Sequence, residues 1–190
     1  MTLLLLACNG GFQAEPVAEV TLTADELPGR EWRRMDIDQL DASLQAATGG
    51  HTWTEDGEDL FVKLSGTLGK PDYLGATSED VTPGLLFQKF LDDGAKQVCT
   101  DFVWDELSKS GERLWLVDLS SADTLDSEPA LVEQAVARGL LRFHAKVVSG
   151  QDLQPWVDTF DAVATETGEP ARGWIVLCVA TITHPDFYAH

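Results

Sequence analysis

The chain has 190 residues, enough to bury one core without leaning on metals or several disulfides. Apolar residues make up 44% and charged residues 24%, an ordinary globular balance. Its 32 acidic side chains meet only 13 basic ones, and a net charge of -19 argues against nucleic acid and anionic lipid headgroups while favouring solubility, cations and basic partners.

The first motif is "LLLLACNGG", Leu3 to Gly11. An apolar stretch, a small residue and then a cysteine form a lipoprotein processing site, in which Cys8 becomes the lipid-bearing first residue of the mature chain. The following "CNGGFQAEPVAEV" is small, polar and contains Pro and Gly, as a tether does. No Lys or Arg precedes the leucines, and the apolar run is shorter than a usual signal core. Two explanations stand: a misassigned start, or a soluble chain with a frayed N-terminus. The lipoprotein reading is preferred. It divides the chain into a signal remnant at 1–8, a tether at 9–30 and a helical domain at 31–190, held outside the cytoplasm on a bacterial cell envelope.

Near the start, ahead of the helical domain, "AEVTLTADEL" alternates like a strand, and one strand makes no sheet. "DIDQLDASLQAATGG" opens with a capping box from Asp36 to Gln39. Ile37, Leu40, Leu44 and Ala47 then share a face, and Gly49 stops the helix. "EDLFVKLSGTLG" repeats the idea with Leu60, Phe61, Leu64 and Leu68, closed by Gly69. After the polar connector "KPDYLGATSED", Thr82 as cap and Pro83 as first helical residue start the strongest helix signal. Its inner face is Phe87, Phe90, Leu91, Ala95, Val98, Cys99, Phe102 and Val103; its outer face carries Asp92, Asp93 and Asp101.

The run Leu114 to Val117 reads equally as a short strand or a helix turn. Ser127 and Pro129 begin another helix with Val132, Val136, Leu140, Phe143 and Val147 inside and Gly150 beyond it. A shorter one spans Asp152 to Thr167 around Trp156, Phe160 and Val163, ended by Gly168. The last begins near Pro170, carries Trp174, Leu177, Cys178 and Ile182, and stops before Pro185. The expected fold is therefore all-α, a bundle of about six amphipathic helices with little or no sheet. Trp104, Trp115, Trp156 and Trp174 are expected in the core, whereas Trp32 and Trp53 fall in loops where an aromatic can serve a binding surface.

The stretch from about Ala137 to Tyr188, with "LLRFHAKVVSG", "DLQPWVDTF" and "GWIVLCVATITHPDFY", resembles a helical module of large secreted planctomycete and myxobacterial proteins. The whole chain, with "TLGKPDYLGATSEDVTPGLLFQKFLDD", is similar to a group of predicted myxobacterial lipoproteins. It departs from the module where Val148 and Ser149 replace an Arg-Pro type turn. The resemblance implies an extracytoplasmic helical domain and no reaction.

Three cysteines leave an odd thiol in an exported chain; lipidation of Cys8 removes it. Cys99 and Cys178 then stand either as a disulfide or as two buried free thiols, and with no C-x-x-C a zinc knuckle, a thioredoxin-type motif and covalent haem attachment are without support. His184, Asp186 and His190 in "THPDFYAH" are metal-ligand or general-base material, although Pro185, Asp186, Phe187 and Tyr188 have sufficient structural roles. His144 reads as a boundary residue and His51, beside Trp53, as an exposed one. No G-x-S-x-G, P-loop, H-E-x-x-H or G-x-G-x-x-G motif occurs, and the acidic "DGEDL" and "DDG" lack the spacing of an EF-hand. The leading expectation is a non-enzymatic envelope lipoprotein without cofactor, serving structure, assembly or docking of another envelope or secreted protein. The alternative is an accessory subunit holding a metal or non-covalent haem through His144, His184 and Asp186.

Overall fold

The structure, a computed structural model, describes residues 33–68, 70 and 81–189. Cys8, the proposed tether, the alternating segment, Trp32, most of the polar connector and His190 lie outside the described residues. The described part is all-α apart from one small hairpin.

Helix α1, Ile37–Thr48, starts with the expected capping box: Gln39 N donates to Asp36 Oδ1 at 2.7 Å and Asp36 N to Gln39 Oε1 at 3.2 Å. It ends at Gly49, whose φ of 75° is the left-handed turn that glycine adopts without strain. The last turn of α1 has no basic residue of its own. Arg142, from another helix, supplies the charge by donating to the carbonyls of Ala46 and Ala47.

Two short strands follow, β1 at Thr54–Glu55 and β2 at Glu58–Asp59, paired antiparallel with Thr54 opposite Asp59. Asp56 and Gly57 both take positive φ, 51° and 81°, as a two-residue hairpin turn requires. Asp59 then caps α2, Leu60–Leu64, through Val62 N. The expected longer helix is cut to five residues and a 3-10 turn over Ser65–Leu68. The change falls at Ser65, whose backbone N–H and hydroxyl both turn back to Val62 O in the tighter three-residue pattern.

Helix α3, Leu85–Ser108, buries all eight expected inner residues. It begins at Gly84, so Thr82 and Pro83 precede it rather than cap it, and no side chain bonds its first amides. Asp92 and Asp93 on its outer face pair with Lys96 and Lys89 one turn away. Trp104 faces outward, 49% exposed, because it lies off the buried stripe. Trp53, in contrast, is half-buried and packs edge-on against Phe90 at 4.6 Å and Phe61 at 6.0 Å. A Cβ at Gly94 of α3 would come within 3.0 Å of its indole.

Residues 114–117 form neither strand nor helix. Their backbone is held instead by the carboxylate of Glu106, which is fully buried on α3. Glu106 Oε1 accepts from Leu114 N at 3.0 Å, and Oε2 from Trp115 N at 2.7 Å and Leu116 N at 3.2 Å. Three amides aimed at one carboxylate satisfy both a buried charge and a buried loop backbone. This fixes Trp115 in the core, where its indole N–H donates to Ala135 O at 2.8 Å and its ring meets Phe102, Phe143 and Trp174.

Helix α4, Pro129–His144, passes directly over that indole: a Cβ on Gly139 would lie 2.8 Å from Trp115 Nε1. It ends at His144 because Ala145 turns left-handed, φ 54°, and the amides of Ala145 and Lys146 return to Leu140 O. Val147 is consequently outside the helix and 89% exposed, not in the core as expected. Helix α5, Gln154–Thr167, starts after a 3-10 turn at Gly150–Asp152, two residues later than expected. Gly168 reverses the chain into α6, Pro170–Thr183, which packs against α5 on one side and α3 on the other. Burial on two sides explains why α6 is apolar almost all round. A one-turn helix, α7 at Pro185–Tyr188, closes the domain. There, Met35 N donates to Tyr188 O at 2.7 Å and Gln88 Nε2 to the Tyr188 hydroxyl at 2.6 Å.

Cys99 of α3 and Cys178 of α6 stand at disulfide distance, Cα–Cα 5.7 Å, with no exposed surface and a sequence separation of 79. Replacing both by serine is expected to lower unfolding stability by about 2–4 kcal/mol, read as a reduced urea midpoint. Glu106→Ala, which strips the partner from three amides, two of them buried, is expected to cost about 3 kcal/mol or more in the same assay.

Candidate functional site

The C-terminal ends of α4 and α6 meet beside α7, and this meeting gathers titratable side chains. Pro185 forbids continuation of α6 and holds His184 extended, φ -72° and ψ 140°. From there His184 Nδ1 accepts from Asp186 N at 3.1 Å, capping α7. The left-handed turn at Ala145 sends Lys146 back toward the same place, where its ammonium pairs with Asp186 Oδ2.

His144 is buried, 8% exposed, at the end of α4, not at the boundary expected from its position. Its Nε2 lies 2.8 Å from the Thr181 carbonyl, which only accepts, so Nε2 carries the proton and the lone pair is on Nδ1. Burial pushes its pKa below the ordinary histidine value, keeping the ring neutral. The His184 ring lies 5.1 Å away, centre to centre, and tilted by 32°. Trp156 of α5 presents its edge or face to both rings, at 5.6 and 5.7 Å. The Lys146 ammonium holds the Asp186 carboxyl below the usual carboxylate range.

His144, His184 and Asp186 each offer a ligand atom, all within 4.8 Å of one another. A groove of about 500 Å³ opens onto them, with Val147, Val148 and Asp152 along its walls. Among the described residues no other group of three His, Cys, Asp or Glu side chains is so arranged. The third candidate of the C-terminal motif, His190, lies outside the described residues. Sequence reasoning missed Lys146 and Trp156, and no spacing rule points to either: one arrives through a left-handed turn at an alanine, the other from a separate helix. His51, expected to be exposed, is half-buried against Phe102, with Nε2 3.3 Å from Asp105 Oδ2.

A second groove of about 550 Å³ runs between α1 and α4, lined in part by Met35, Leu141, Arg138 and Arg142. Both arginines are engaged with backbone carbonyls, Arg138 with Trp115 O at 2.7 Å and Arg142 with the end of α1. Their geometry is architectural. Compared with protein families, curated proteins and solved structures, the chain matches none.

The cluster contains one costly contact and one inexpensive one. His144→Ala is expected to lose about 2 kcal/mol, because it opens a buried space and orphans the Thr181 carbonyl. Lys146→Ala breaks an ion pair at the surface and is expected to change stability by no more than about 1 kcal/mol. Parallel chemical denaturation of the two variants checks both values.

Proposed function

We propose that the chain is a non-enzymatic module of the bacterial cell envelope, anchored outside the cytoplasm by a lipid on Cys8 and serving to dock or assemble another envelope or secreted protein. The observation that carries this reading is the buried Cys99–Cys178 pair at bonding distance. Disulfides of this kind persist in oxidising compartments and are rare in the cytosol. Pairing these two thiols leaves Cys8 as the single remaining cysteine, set immediately after an apolar run and an alanine. The resemblance to predicted myxobacterial lipoproteins agrees with it.

A docking role rather than catalysis is supported by the way polar groups are used. Glu106, Arg113, Arg138 and Arg142 all bond backbone, and the histidines bond Thr181 O, Asp105 or the amide of Asp186. The net charge of -19 favours a partner with a basic face, approached faster at low ionic strength. No helix among the described residues is long and apolar enough to cross a membrane, so attachment in this reading rests on the lipid.

Fractionation of the native host followed by intact-mass measurement tests the proposal. The expected product is found with membranes, begins at Cys8 carrying diacylglycerol, and lacks the pair of thiol hydrogens lost on forming one disulfide. An unmodified chain in the cytosolic fraction with free thiols would overturn both the location and the anchor.

A further inference from the structure

The His144–His184–Asp186 cluster has features that an internal polar lock does not need. His144 donates Nε2–H to a backbone carbonyl and leaves Nδ1 basic. That is the outer support by which metal-ligating histidines are oriented. His184 Nδ1 and Asp186 Oδ2 are 3.4 Å apart. Two ligands of a tetrahedral zinc, each bonded at about 2.0–2.1 Å, stand about 3.3 Å apart. One edge of a coordination polyhedron is therefore already in place, and a ring nitrogen of His144 lies within 4.8 Å of it.

A cation already sits on this carboxylate: the Lys146 ammonium, whose side chain is 54% exposed. A flexible, half-solvated lysine is readily displaced, and when it leaves, Asp186 is a carboxylate in need of a positive charge. The adjoining groove gives access from solvent and room for a further ligand. Two imidazoles and one carboxylate suit zinc and its neighbours in the first transition row, whereas calcium and magnesium prefer oxygen. Lys146, Asp152 and Asp186 along the groove suit an ion better than the apolar face of a haem.

We propose that His144, His184 and Asp186 form a binding site for a divalent zinc-like ion, with Lys146 the cation that occupies the carboxylate until the metal replaces it. Binding gives up the Lys146 ion pair and the contact between His184 Nδ1 and Asp186 N. It draws the His144 and His184 rings together and ties the ends of α4 and α6 to α7. The ion would bind whether or not the chain is anchored or docks a partner.

The test uses the full chain, stripped with chelator and titrated with Zn2+ by calorimetry and with Co2+ by visible absorption. One equivalent of Zn2+ is expected to bind, to raise the melting temperature, and to be undisturbed by excess Ca2+ or Mg2+. His184→Ala and Asp186→Asn, both away from the core, should each weaken binding by more than about 100-fold, beyond what loss of an outer support costs. Lys146→Ala should strengthen it several-fold by removing the competing cation. These three variants keep the test valid even if His144→Ala fails to fold. The proposal is overturned if the native chain binds no stoichiometric Zn2+, or if binding survives in His184→Ala and Asp186→Asn. Weaker binding in Lys146→Ala would equally overturn the assigned role of that lysine.

Discussion

The domain depends on the seam between α3 and α6. Helix α6 has almost no polar face, and it is stable in water only because α3 and α5 cover it from opposite sides. Phe102 and Val103 from α3 and Trp174, Leu177 and Ile182 from α6 all belong to the resulting core. Close approach is built into the sequence. A Cβ on Gly173 would fall 2.8 Å from the Phe160 carbonyl, so glycine lets α5 lie directly on α6. The Cys99–Cys178 pair sits inside this seam, where the helices are already in contact. Hydrophobic burial positions the sulfurs, and the covalent link then restricts how far the unfolded chain can spread.

The remaining elements are arranged around that seam by polar anchors on backbone. Glu106 holds the loop that carries Trp115, Arg113 donates to the carbonyls of Leu107, Lys109, Leu116 and Leu119, and Arg142 closes the end of α1. Each places one end of a charged side chain against carbonyls or amides that have no partner within a helix or strand. A strongly acidic protein thus spends several of its few arginines on its own backbone.

Much of this organisation was legible from residue order. Apolar spacing located α1, α3 and α6, because each has a long buried stripe, and α1 and α6 also have clear terminators in Gly49 and Pro185. The pairing of Cys99 with Cys178 was visible as one of two alternatives, since both fall on inner faces. What escaped notice has no periodic signature. The hairpin is only two residues per strand, and its Asp56-Gly57 signal lay inside an acidic stretch that reads as a solvated turn. Ala145 ends α4 in a conformation usually reserved for glycine, so nothing in the sequence warned that Val147 would leave the core. Glu106 looks like an ordinary outward charge until three amides are seen to converge on it. The ion-binding candidates were recognised by residue type, but their meeting required the crossing of α4 and α6, and Lys146 enters only through the turn at Ala145.

The order in which the chain emerges during synthesis gives the buried sulfur pair a further meaning. Glu106 lies eight to ten residues from the amides it gathers, so that loop closes as soon as α3 exists. Cys178, in contrast, lies 79 positions after Cys99 in the last long helix and reaches it only once the intervening chain has been made and packed. Oxidation at this position therefore reports assembly completed: a chain carrying the link has docked its final helix, and one that halts before α6 leaves Cys99 without this partner.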